Sequence, residues 1–155
     1  MYKILFVCLG NICRSPMAEF VMKDLLEKRG ISTVYVESAA TSSEEIGNPV
    51  HRGTLRVLNS LGIDCSKKRA RKLAPKDYRE YDLIIGMERS NLPAMLRCLG
   101  LRSDGGGKLR LLLDFTDRPR DIPDPWYTGD FDSTYRDVLE GCEGLLAQLE
   151  KEGKA

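Results

Sequence analysis

Residues 2–7, YKILFV, constrain the fold more than any other segment. A short run of nearly unbroken apolar character that ends at a turn, here Leu9-Gly10-Asn11, suits a strand buried on both faces. Such strands are the habit of parallel sheets. A helical pattern follows at once. Ser15-Pro16 supplies an N-cap and a first-turn proline, Ala18, Val21, Met22 and Leu25 recur at helical spacing, and Gly30 is a C-terminal stop.

The alternation continues along the chain. Residues 33–38 (TVYVES) read as a second strand, and Asn48-Pro49 opens a helix with Leu55, Leu58 and Leu61 on one face and a stop at Gly62. Residues 82–86 (DLIIG) are a third strand, and residues 89–99 a helix interrupted near Pro93. Residues 108–113 are a fourth strand, after the Gly105-Gly106-Gly107 loop. From Asp132 onward, Tyr135, Val138, Leu139, Cys142, Leu145, Leu146 and Leu149 mark a terminal amphipathic helix packed on the sheet. The prediction is a Rossmann-like α/β fold, an open four-stranded parallel sheet with helices on both faces and right-handed crossovers. With 155 residues, the chain suits one domain, 1–155. Ligands in such folds bind beyond the carboxyl ends of the strands, where residues 8–15 fall.

Composition removes several classes of function. Lys+Arg (24) and Asp+Glu (23) nearly cancel, so charge gives no case for nucleic acid or a membrane surface as partner. The basic run 67–72 (KKRARK) has no interleaved aromatic residue and reads as a solvated loop or helix end. No apolar stretch approaches the roughly 20 residues of a membrane helix. The amino-terminal apolar run is too short for a signal peptide, so a cytoplasmic address is expected. Cysteines 8, 13, 65, 98 and 142 are odd in number and lack framework spacing, which points to reduced thiols. A single histidine, His51, and no C-x-x-C pair speak against a metal site, and no cofactor is expected. His51 itself reads as a surface residue near a helix start.

The chemistry lies in Cys8-Leu9-Gly10-Asn11-Ile12-Cys13-Arg14-Ser15, a C-x5-R-S loop between strand and helix. A loop of this length can turn successive N–H groups toward one point as an anion nest, with the positive end of the helix behind it. Arg14 adds a planar fork for two phosphoryl oxygens. Together these donors favour a Cys8 thiolate, the nucleophilic form. A cysteine at a strand end is ordinarily core, but this one arrives with the spaced arginine, the glycine and the serine.

The segment VCLGNICRSPMAE (7–19) closely resembles the signature loop of low-molecular-weight protein tyrosine phosphatases. The resemblance continues in Glu37-Ser38-Ala39-Ala40-Thr41-Ser42, Gly47-Asn48-Pro49, Gly62-Ile63, Ala70-Arg71 and Met87-Glu88-Arg89-Ser90-Asn91, and resumes at Asp124-Pro125-Trp126-Tyr127. It implies hydrolysis of tyrosine-phosphorylated proteins through a phosphocysteine on Cys8, with inorganic phosphate as product and oxyanions as inhibitors. Arg14 is implied as clamp, with Leu9, Gly10, Asn11, Ile12, Cys13 and Ser15 as phosphate loop. Ser15 is implied to donate to the Cys8 sulfur, and Asn11 to hold the loop with Ser38 and Glu19. Asp124 is the implied general acid. By composition it is one of seven, beside Asp114, Asp117, Asp121, Asp130, Asp132 and Asp137. Trp126 and Tyr127 are implied pocket walls, with Ile12 at the floor, and Cys13 is implied to form a reversible disulfide with Cys8 on oxidation.

Three departures from the family stand out. Glu44 takes the place of an aromatic wall residue, Lys68 stands near the place of a histidine of the Asn11 network, and Glu88 replaces a common aspartate. None is expected to touch nucleophile, clamp or acid. Three other readings compete. An arsenate reductase shares the loop but relays oxidation through two neighbouring cysteines, whereas Cys65 and Cys98 are far apart in sequence. A protein arginine phosphatase carries threonine where this chain has Ile12. A non-catalytic phosphate-binding module would need no nucleophile, clamp and acid together.

Overall fold

The structure is a computed structural model that describes residues 1–155. Four strands, β1 (Tyr2–Cys8), β2 (Val34–Ala40), β3 (Leu83–Gly86) and β4 (Leu109–Leu111), form one sheet in the order β2-β1-β3-β4, every pair parallel. The helices are α1 (Arg14–Lys28), α2 (Arg52–Ser60), α3 (Asp77–Glu80), α4 (Asn91–Leu99), α5 (Pro125–Thr128) and α6 (Phe131–Lys151).

β1 is central, and its side chains divide between two cores. Ile4, Phe6 and Cys8 join a large cluster with α1, α2 and α6, while Leu5 and Val7 join a smaller one with Met95 and Leu99 of α4. Burial on both faces is why the run shows no polar alternation. α6 buries Val138, Cys142, Leu145, Leu146 and Leu149, and each leucine so buried contributes about 1.5–3 kcal/mol. It also lies close against the 3-10 turn Leu112–Phe115. A Cβ at Gly144 would sit 2.1 Å from the Phe115 carbonyl oxygen, so this approach requires glycine.

Several local expectations are corrected. α1 starts at Arg14, not after Ser15, with Cys13 at the cap position and no side-chain cap. The Ser15 hydroxyl is committed to the loop instead. Asn48-Pro49 does not open α2, because Pro49 bridges to Arg69 and the helix begins at Arg52, capped by His51. The buried face of α2 carries Thr54, Val57 and Leu58, while Leu61 is 44% exposed beyond its end. Pro93 falls in the first turn of α4, where a missing N–H costs no helical bond, so the helix is not interrupted. Leu112 and Leu113 leave β4 for the 3-10 turn. No helix is long and apolar enough to cross a membrane.

Candidate active site

The loop after β1 is held from outside by its carbonyls. Those of Cys8, Leu9 and Ile12 accept from the backbone N–H groups of Thr41 (3.0 Å), Ser42 (2.9 Å) and His51 (2.8 Å). The Cys13 carbonyl accepts from the Thr54 hydroxyl at 3.0 Å. The N–H groups of residues 10–13 donate to no protein group, which leaves them for an anion. Asn11 sits at φ 58°, the only non-glycine residue at positive φ, a conformation that needs support from its surroundings.

That support comes from a buried chain of hydrogen bonds. Asn11 Nδ2 donates to Ser15 Oγ (2.8 Å) and Ser38 Oγ (2.9 Å), and Asn11 Oδ1 accepts from Arg71 N (3.1 Å). Ser38 gives its one proton to Glu19 Oε1 at 2.5 Å. Ser15, already accepting from Asn11, is left to donate toward Cys8 Sγ at 3.0 Å, and its backbone N–H points at the same sulfur from 3.4 Å. Lys68 closes the network, donating to the Ser38 carbonyl at 2.9 Å and pairing with Glu19 at 3.1 Å. The basic run is therefore not a plain solvated loop. Lys68 turns inward to this network, and Arg71 gives its backbone N–H to Asn11 while its guanidinium pairs with Asp77, whereas Lys67, Arg69 and Lys72 stay exposed.

Arg14 is 2% exposed and carries three anchors. One terminal nitrogen donates to Glu88 Oε2 and, at 2.9 Å, to the Ile122 carbonyl. The other lies 3.4 Å from Asp124 Oδ2. Burial opposes its charge, but the Cys8 sulfur, the Glu88 hydrogen bond and Asp124 outweigh that and raise its pKa. Burial likewise pushes the Glu88 carboxyl up, and the hydrogen bonds from Ser90 and Arg14 bring it below its ordinary value. Glu88 is aimed by the turn before α4, where Asn91 Oδ1 accepts from the N–H groups of Met87 and Glu88, both at 2.9 Å. The expectation that the Glu88 departure leaves the clamp untouched is thus wrong.

Asp124 caps α5. Its Oδ1 accepts from Trp126 N at 3.0 Å, Pro125 follows at N1, and Gly129 ends the helix. This short helix, absent from the sequence reading, turns Trp126 and Tyr127 outward, 57% and 80% exposed. One pocket brings together Cys8, Ile12, Arg14 and Asp124 with Trp126 and Tyr127. Leu9, Gly10, Cys13 and Glu44 also line it, together with Ser42 and Glu45, which sequence reasoning did not single out. Asn11 and Ser15 stand behind the loop rather than in the pocket. Burial, the Cys8 sulfur and Asp124 push the Cys13 thiol up to about 12. Cys65 is buried in the larger core and Cys98 packs against the smaller, on opposite faces of the sheet, so neither can relay oxidation with the other.

A family model described as low molecular weight phosphotyrosine protein phosphatase matches residues 3–155. The low molecular weight protein-tyrosine-phosphatase YfkJ of Bacillus subtilis is 39% identical over 155 residues, covering 98% of both chains. Its crystal structure superposes with a TM-score of 0.92 over 98% of this chain and 96% of that one. PtpA of Staphylococcus epidermidis, of the same description, is 36% identical over 153 residues, 98% of this chain and 96% of its own. The crystal structure of DARP, a Drosophila arginine phosphatase, is 32% identical with a TM-score of 0.87, over 96% of this chain and 98% of its own. Agreement over nearly the whole length, in sequence and in fold, places the chain in the low molecular weight phosphotyrosine protein phosphatase family, among enzymes that work through a cysteine.

Proposed function

We propose that residues 1–155 act as one catalytic domain that hydrolyses phosphotyrosine in proteins, with Cys8 as nucleophile, Arg14 as clamp and Asp124 as general acid. The observation that carries this is the Cys8 sulfur, held by the Ser15 hydroxyl and N–H in a pocket that also contains Arg14 and Asp124. The thiolate attacks phosphorus, the bond to the tyrosyl oxygen breaks, and Asp124 delivers a proton to that oxygen. Water then attacks the phosphocysteine, giving its proton back to Asp124, and the sulfur leaves toward the Ser15 hydroxyl. Arg14 and the N–H groups of residues 10–13 hold the equatorial oxygens through both steps. Inorganic phosphate is the product and a competitive ligand.

The likeness to an arginine phosphatase makes phosphoarginine the rival substrate, and Ile12 argues against it. Its apolar side chain lines the pocket and offers nothing to a guanidinium. Each buried N–H left unpaired costs about 1–3 kcal/mol, or about one to two orders of magnitude in rate. Phosphoserine is too short to bring its phosphorus to Cys8 at the pocket floor. Hydrolysis of matched phosphotyrosine, phosphoserine and phosphoarginine peptides is expected to favour phosphotyrosine, and Ile12→Thr to raise phosphoarginine turnover relative to it. A wild type that prefers phosphoarginine would overturn the substrate reading and leave the Cys8 chemistry standing.

Cys13 is proposed as a guard against oxidation. Peroxide converts the Cys8 thiolate to a sulfenic acid, and the Cys13 thiol then displaces water to form a disulfide that dithiols reverse. Cys13→Ser is expected to keep its activity but to recover only in part when dithiothreitol follows peroxide. Full recovery would exclude the guarding role.

A further inference from the structure

Trp126 has two sides. One faces the pocket, and the other faces a shallow groove formed with His51, Gly53, Arg56, Pro125 and Phe131. The short helix α5 leaves the indole more than half exposed, so few groups can fix its position. The His51 ring is one that does. It meets Trp126 edge-on, with ring centres 5.5 Å apart at 72°, while lying flat on Phe131 at 5.0 Å and 12°.

His51 is itself fixed from several directions. Its N–H donates to the Ile12 carbonyl at 2.8 Å, and its Nδ1 accepts from Gly53 N at 3.0 Å, capping α2. A ring whose Nδ1 is an acceptor carries its proton on Nε2. Phe131 can support the ring only because residue 53 is glycine, since a Cβ there would lie 2.5 Å from the Phe131 ring. His51 therefore ties the end of the phosphate loop through its backbone N–H, and through its ring the start of α2, the start of α6 and the back of Trp126.

We propose that His51 is a positioning residue for substrate selection, holding Trp126 against the pocket and so setting the grip on the aryl ring of the substrate. It touches neither the phosphoryl group nor the reacting atoms, and the inference rests on Trp126 being a pocket wall. An edge-to-face contact of this kind accounts for about a three- to tenfold change in affinity.

Two substitutions separate the ring from the cap. His51→Asn keeps an acceptor suited to an N-cap but removes the ring. It is expected to raise KM for phosphotyrosine about three- to tenfold with little change in kcat, and to leave inhibition by inorganic phosphate as it is. His51→Phe keeps a ring against Trp126 and loses the cap, so its melting temperature is expected to fall while KM stays near wild type. Trp126 is the only tryptophan in the chain, so acrylamide quenching of its fluorescence reads the exposure of this indole alone, and quenching is expected to rise in His51→Asn. Trp126→Ala provides the reference, and adding His51→Asn to it is expected to raise KM no further. If Trp126→Ala raises KM but His51→Asn changes neither KM nor quenching, the positioning role is wrong and the wall remains. If Trp126→Ala leaves KM unchanged, the wall reading fails and the inference with it. An equal weakening of inorganic phosphate inhibition in His51→Asn would also overturn the proposal, because it would place the effect in the loop.

Discussion

A Cys8→Ser variant is expected to lose turnover by about 10⁴-fold or more while still binding inorganic phosphate. The hydroxyl does not ionise near neutral pH and cannot replace the thiolate, but the donors around it are untouched. The loop carbonyls remain pinned by Thr41, Ser42, His51 and Thr54, and Arg14 keeps its anchors. Arg14→Ala should lose phosphate binding as well as rate, and also stability. It leaves the partly exposed Glu88 and Asp124 and the Ile122 carbonyl without their common partner, and a hydrogen bond to a charged group contributes about 1.5–3 kcal/mol. Arg14→Lys retains charge but not the planar fork, so it tests geometry apart from electrostatics. Steady-state assays with an aryl phosphate, calorimetric titration with phosphate and thermal melts together check these outcomes. Turnover by Cys8→Ser near the wild-type level would end the phosphocysteine mechanism.

The sheet was legible in the sequence because its strands are short apolar runs closed by turn residues, and because β1 is buried on both faces. The nucleophile and clamp were legible because they share one loop, and their spacing is local. What escaped was set by contacts distant in sequence. Glu88 reaches Arg14 across 74 positions and Lys68 reaches the Ser38 carbonyl across 30, and no periodicity reports such pairs. Local signals also misled where side chains had other work. Ser15 looks like a helix cap, but its hydroxyl serves Cys8 and Asn11, so α1 begins without it. His51 does stand half-buried at the start of α2, as its place near a helix start suggests, but its packing depends on Phe131 and Trp126, far along the chain. α5 escaped for the opposite reason. Asp124, Pro125 and Gly129 are its cap, first residue and stop, but four residues carry no helical period.

Replacing Asp124 is expected to cost phosphotyrosine hydrolysis about 10²–10⁴-fold, the usual contribution of a positioned acid. The substitution must be chosen with its structural duties in view. Asp124 caps α5 through Oδ1 and faces Arg14 through Oδ2, so alanine removes a cap and a counterion together with the acid. Asparagine preserves the cap oxygen, and a good N-cap keeps Trp126 and Tyr127 in place, but an amide does not act as the acid. Asp124→Asn should therefore melt near the wild type and bind phosphate at least as well, since the pocket loses a negative charge near Arg14. Its kcat should fall steeply for phosphotyrosine, whose leaving phenolate is basic, and much less for an activated ester such as p-nitrophenyl phosphate, whose leaving group departs without a proton. The ratio of the two losses carries the diagnosis. Unequal losses in Asp124→Asn, with a normal melt, assign proton delivery to this carboxyl among the seven aspartates between residues 114 and 137. Equal losses on both esters would mean that Asp124 acts by shaping the pocket, and that another group supplies the proton.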